Sequence, residues 1–229
     1  MKVGSRRFAP ALPALLALAG CSGGAEEATP APSPSPSLDS EPRTLVAADL
    51  DLDGLGPRVE GPQGTELESA IPGLGAMTSY VACPADVAAE RCDPGTLPAG
   101  TLYTYVHQII VDIPPSERAE DQFSGVTLFR TTLPAPGFAN AIGYSREQAA
   151  EALGEDGDIK VQSEAGRLIW RVTAGDGWMP GETLTFFWQS TLPPAGPQVA
   201  YRLEGEGLGA EATGPFPAEA PLAESPEPQ

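Results

Sequence analysis

The sequence predicts an all-β protein, an antiparallel two-sheet sandwich. Three observations predict it. Apolar and polar residues alternate in short runs through the middle of the chain, the pattern of half-buried strands. Turn chemistry separates those runs, with glycine and proline in stretches such as "LPAPG", "AGDG" and "LPPAGP". A single short helical segment interrupts the pattern, which leaves too little helix for any architecture but sheet on sheet or a closed sheet.

The elements follow in order. "RTLVAADLDL" (43–52) is expected as the first strand, with Val46, Ala48, Leu50 and Leu52 toward the core and Asp49, Asp51 and Asp53 on the other face. "TLYTYVHQIIVDI" (101–113) places Tyr103, Tyr105, His107, Ile109, Val111 and Ile113 on one face by period two. "GVTLFRTT" (125–132) reads as a strand. "YSREQAAEALG" (144–154) is the helix, expected over 145–153: Ser145 is an N-cap, Gln148 completes a capping box, and Gly154 stands where a C′ residue belongs. "DIKVQ" (158–162), "GRLIWRVTA" (166–174), "ETLTFFWQST" (182–191) and "QVAYRLE" (198–204) complete seven strands. Leu168, Trp170 and Val172 share one face of the second of these, and Leu184, Phe186 and Trp188 one face of the third. Seven short strands favour a sandwich of the immunoglobulin or fibronectin sort, an analogy of layer architecture only; strand count alone also allows a closed barrel.

The two ends are read apart from this domain. Lys2, Arg6 and Arg7 precede a short apolar stretch, Phe8 to Ala19, which is too short to span a bilayer and reads as an export signal. Leu18-Ala19-Gly20-Cys21 then resembles the lipobox of bacterial lipoproteins. The resemblance covers only the leader. It implies cleavage after residue 20 and a lipidated Cys21, with a thioether-linked diacylglycerol and an amide-linked acyl chain such as palmitate. Several acyl chains hold a protein on a membrane without a transmembrane helix, since each buried methylene contributes about 0.8 kcal/mol. Ser22, where an Asp favours inner-membrane retention in such lipoproteins, implies the outer membrane. Residues 21–42, rich in Pro, Ser, Ala and Gly, are expected as a disordered tether reaching about 60 Å at roughly 3 Å per residue. Residues 43–212 are expected as one sandwich domain and 213–229 as a disordered acidic tail.

Charge and cysteines narrow the partners. Without the three basic residues of the leader, 10 basic and 31 acidic side chains remain, a net charge of −21. Such a surface repels nucleic acid, so none is expected as a partner. The expected partners are the membrane, through the lipid anchor, and an envelope protein or glycan. Cys83 and Cys92, in an oxidising envelope compartment and even in number once Cys21 is acylated, are expected to form a disulfide that contributes about 2.5 kcal/mol.

Candidate chemistry is sparse. His107 is the only histidine and lies on an apolar strand face; a Ser-His-Asp set around it would make an envelope hydrolase, yet no G-x-S-x-G elbow nominates a nucleophile. The mature chain's one lysine, Lys160, makes Ser-Lys chemistry no better supported. The expectation is therefore a non-catalytic binding or structural module without a cofactor. "AGDGWMPGE" places Trp178 and Met179 in a turn beside Asp176, a candidate for stacking on a sugar or docking on a partner; the opposing reading folds Trp178 back over the open end of the sandwich. "DLDLDGLGPRVE", Asp49 to Glu60, satisfies the EF-hand pattern D-x-[DN]-x-[DN]-G-x5-E, making Asp49, Asp51, Asp53 and Glu60 weak candidates for calcium. Both flanking helices are missing, and in a strand the first and third aspartates would stand about 13 Å apart, too far for one ion. An observed loop at Asp49 to Asp53 would reverse the strand reading.

Overall fold

The computed structural model describes residues 42–61, 66–87, 91–112, 125–175, 177–205 and 207–218. The leader, Cys21, the tether as far as residue 41, Ile113, Asp176 and residues 219–229 lie outside them. Eleven strands and one α-helix are present among the described residues. In chain order they are β1 (Arg43–Thr44), β2 (Leu67–Ile71), β3 (Gly75–Ala82), β4 (Tyr103–Val111), β5 (Val126–Thr131), β6 (Phe138–Tyr144), α1 (Arg146–Leu153), β7 (Asp158–Glu164), β8 (Arg167–Ala174), β9 (Thr183–Ser190), β10 (Pro194–Gly205) and β11 (Leu208–Pro217).

They form two antiparallel sheets, one ordered β1-β7-β8-β5-β10-β11 and the other β2-β3-β4-β9-β6. The predicted two-sheet sandwich is therefore the architecture. The ladders stay separate, so the barrel alternative falls. Side chains rather than backbone stitch one sheet to the other: Thr213 N–H donates to Ser69 Oγ at 3.1 Å, and Trp170 Nε1 donates to the Gly143 carbonyl at 2.8 Å.

Period two places the core where the alternation predicted. Tyr105, His107, Ile109 and Val111 of β4 are fully enclosed, as are Leu184, Phe186 and Trp188 of β9 and Leu168 and Trp170 of β8. Phe129, Trp170, Phe186 and Tyr201 make the aromatic centre, with Phe129 5.2 Å from Trp170, 5.0 Å from Phe186 and 5.8 Å from Tyr201 between ring centroids. Cys83 and Cys92 are joined beneath the end of β3, their Cα atoms 6.1 Å apart.

The helix forms where expected, capped by Ser145, whose hydroxyl accepts from Gln148 N–H at 3.4 Å. The reciprocal half of the capping box is not made, because Ser145 N–H donates instead to the Thr185 carbonyl of β9. The helix links the two sheets and buries Ala149, Ala152 and Leu153.

Three expectations are corrected. Four further strands, β2, β3, β6 and β11, raise the count above seven. The expected first strand is only two residues long, and its phase is inverted: Leu45 and Ala47 pack toward the core while Val46 is 89% exposed. Asp49 to Asp53 form a loop and turn, in which Asp51 accepts from Asp53 N–H at 3.1 Å, so the strand argument against calcium fails. The third concerns the C-terminal boundary. β11 runs through Pro217, Phe216 is buried against Trp188 and Tyr201, and the Tyr201 hydroxyl donates to the Pro215 carbonyl at 2.8 Å. A chain cut after Ala212 is accordingly expected to be about 2–3 kcal/mol less stable in urea melts than one cut after Pro217, the cost of losing a buried phenyl ring and a buried hydrogen bond.

Candidate functional site

The outer face of the five-stranded sheet is the built surface of this molecule. Residues 48–59 cross it as a strap. At one end Ala48 N–H donates to the Ile142 carbonyl of β6; at the other Gly56 N–H donates to the Cys83 carbonyl and Val59 N–H to the Val81 carbonyl of β3. β6 and β3 are separated by β9 and β4, so the chain between these anchors must pass over both. That cover explains why Val106 and Phe187 are buried although they sit opposite the core-facing residues of their strands.

Both anchor points use glycine because the backbones approach too closely for a side chain. A Cβ at Gly143 would collide with Phe187 and the Ala48 carbonyl, and one at Gly56 with the Pro84 carbonyl. Between the anchors, no backbone hydrogen bond joins residues 49–55 to another element among the described residues.

The strap divides the face into two grooves. The first encloses about 710 Å³ between Asp49–Asp53, the outer sheet residues Thr78, Tyr80 and Gln108, and the first turns of α1. It is strongly acidic: Asp49, Asp51, Asp53, Glu66, Glu147 and Glu151 face Arg58 and Arg146. Arg58 pairs with Glu66 and lies 4.0 Å over the Tyr80 ring; Arg146 stands 5.9 Å from the Tyr144 ring centre. Burial raises the Tyr80 hydroxyl above its ordinary range; Arg58 opposes this, and Asp53 and Glu66 add to it. The second groove, about 850 Å³, is lined mainly by Leu55, Pro84, Val87, Leu97, Pro98 and Leu102, with Leu50 and Asp51 shared between the two. Volumes of this size with an apolar lining and a few polar groups are those of ligand clefts.

The calcium candidates are not brought together. Glu60 pairs with Arg91 at 3.4 Å, outside the lining of the groove that holds the three aspartates, and Asp51 is engaged by its own turn. Among the described residues no three metal-ligating side chains converge.

His107 is wholly buried, its Nδ1 2.9 Å from Ser79 Oγ and its ring 4.2 Å from that of Tyr201. A hydrogen-bonded Ser–His pair is the nucleophile–base contact of hydrolases. Here Ser79 is also fully buried, Nε2 has no hydrogen-bond partner, and neither residue lines either groove. Burial pushes the imidazole down to about 3, so it is neutral and a weak base. The pair is a core contact.

Trp178 is folded inward. It is 1% exposed, bridges Val126 of β5, packs 5.5 Å from Phe186 and donates Nε1–H to the Glu182 carbonyl at 3.3 Å. Met179 N–H donates to the Glu182 carboxylate at 2.6 Å. The loop-tip stacking role is thereby corrected in favour of the folded-back reading: the end of the sandwich is closed by its own tryptophan. Trp178→Phe, which keeps most of the ring and loses the indole donor, is expected to cost about 1 kcal/mol in a denaturant melt.

Sequence reasoning found Asp49, Asp51 and Asp53 but missed Tyr80, Arg58, Glu147 and Glu151, which reach the same groove from β3, the far end of the strap and α1. Only the helix carried a local signal. The molecule is thus an antiparallel two-sheet sandwich with a strap and two adjoining grooves on one outer face. No protein-family model, curated protein or solved structure matches the chain.

Proposed function

We propose that this chain is a lipid-anchored protein of the bacterial envelope whose sandwich is a non-catalytic binding module, held off the membrane by a proline-rich tether. The observation that carries the anchoring is the leader, a cationic start and short apolar stretch followed by Leu18-Ala19-Gly20-Cys21. Ser22 supports the outer membrane as the destination. The paired grooves favour binding over a purely structural role. A hydrolase working through His107 would need the core opened at Ser79, and no groove residue offers that route.

Cys21→Ala tests the anchoring. Wild-type protein is expected in the membrane fraction and released only by detergent, whereas the variant appears in the soluble fraction. A variant that sediments with membranes as wild type does would refute the lipid anchor.

A further inference from the structure

We propose that the two grooves form one site for a cationic amphiphile, an alkyl chain bearing a positively charged head. The proposal rests on the binding-module reading and names its ligand class.

Each half of the site selects one half of such a ligand. The groove beside Leu102 is an aliphatic channel of about 850 Å³, and Leu102 itself is 41% exposed at its wall. An exposed large apolar side chain in a concave apolar lining is surface that an alkyl chain would remove from water. Across the strap, charge complementarity fixes the head. With Arg58 and Glu66 paired, five carboxylates of the acidic groove face Arg146 alone. The groove already holds two cations of the chain itself against tyrosine rings, Arg58 over Tyr80 and Arg146 near Tyr144, so its walls suit positive charge. A headgroup with negative charge would meet Asp49, Asp51 and Asp53 together.

The halves adjoin, because Leu50 and Asp51 of the strap line both. Leu50 is partly buried and Asp51 exposed, so the dividing wall itself presents an apolar side chain and a carboxylate. Between the glycine-marked anchors, residues 49–55 make no backbone hydrogen bond to another element among the described residues. A chain crossing the strap at this point places its head among the carboxylates and its tail along Leu97 and Leu102.

Calorimetric titration of the full chain carrying Cys21→Ser, so that no acyl chain competes, tests this. The ligand is dodecyltrimethylammonium below its micelle concentration. The comparisons are dodecyl sulfate and dodecyl maltoside, which share the tail, and tetramethylammonium, which lacks one. The cationic amphiphile is expected to bind at least about tenfold more tightly than each of the other three. Asp49→Asn with Asp51→Asn and Asp53→Asn should weaken it by about tenfold, and Leu102→Glu by at least as much; all four positions are surface-exposed, so the fold survives. Equal binding of the maltoside overturns the proposal, as does no binding at all, or heat that appears only with loss of the near-ultraviolet circular dichroism of the folded core. Membrane anchoring is judged separately by fractionation of Cys21→Ala.

Discussion

Acidification from pH 7 to pH 4 is expected to destabilise the protein by about 3 kcal/mol through His107 alone, and His107→Gln is expected to remove that share. The imidazole has an ordinary value of 6.5, which burial lowers to about 3 in the folded state. Between those values the unfolded chain binds a proton that the folded chain does not, so stability rises with pH through this window. The contribution is fully present above pH 6.5, declines as pH falls below it, and levels off only near pH 3. At pH 4 the gap of about 2.5 pH units at about 1.36 kcal/mol each sets the magnitude. The many carboxylates titrate in the same region, so the measurement is a difference: urea melts of wild type and His107→Gln at pH 7 and pH 4. Glutamine keeps a polar group facing Ser79 and has no proton to gain. Equal pH slopes in the two proteins would mean that His107 is reached by solvent, which would reopen the Ser79–His107 pair as chemistry.

Trp170→Ala is expected to cost about 4 kcal/mol, a large share of the roughly 5–15 kcal/mol that holds an ordinary domain folded. Its ring fills the space between the sheets beside Phe129 and Phe186, 5.2 Å and 5.8 Å away. Its indole donates across from β8 to the Gly143 carbonyl of β6 at 2.8 Å. Gly143 is also where the strap meets the sheet, through Ala48. The substitution therefore leaves a cavity, orphans a buried carbonyl and loosens one anchor of the groove wall. Trp170→Phe separates these effects: it keeps most of the packing and should cost about half as much. Denaturant melts of both variants read the two magnitudes. A cost under about 1 kcal/mol for the alanine variant would contradict the packing described for the aromatic centre.

The legible parts of the fold were those whose side chains alternate cleanly. β4, β8 and β9 carry large apolar residues at every second position, and those at their centres are buried, although Val106, Ile169 and Phe187 between them are buried as well. β6, "FANAIGY", and β11, "LGAEATGPFP", dilute their apolar residues with alanine and glycine, and in β11 with proline, so neither reads as a strand; their place is decided by neighbours, through Ile142 against Trp188 and Phe216 against Tyr201. "RTLVAADLDL" failed in the opposite way. Its alternation is real, yet beyond Thr44 the segment crosses a sheet instead of joining one, and crossing leaves no ladder to set the phase of Val46. The grooves were legible only in fragments. Asp49, Asp51 and Asp53 advertise themselves, but Tyr80 and Leu102 acquire a role only when the strap is laid across β9 and β4. Trp178 shows the same limit: its turn was evident, and its burial depended on Val126 from a distant strand.

The proposed function stands or falls with Cys21 as the tie between this sandwich and a membrane. Mass spectrometry of the N-terminal peptide from protein purified out of membranes examines that tie. The expected chain begins at Cys21 and is heavier than its amino acids by a diacylglyceryl group and, where the amine is also modified, a further acyl chain. A chain that begins elsewhere, or an unmodified Cys21 thiol, would contradict it.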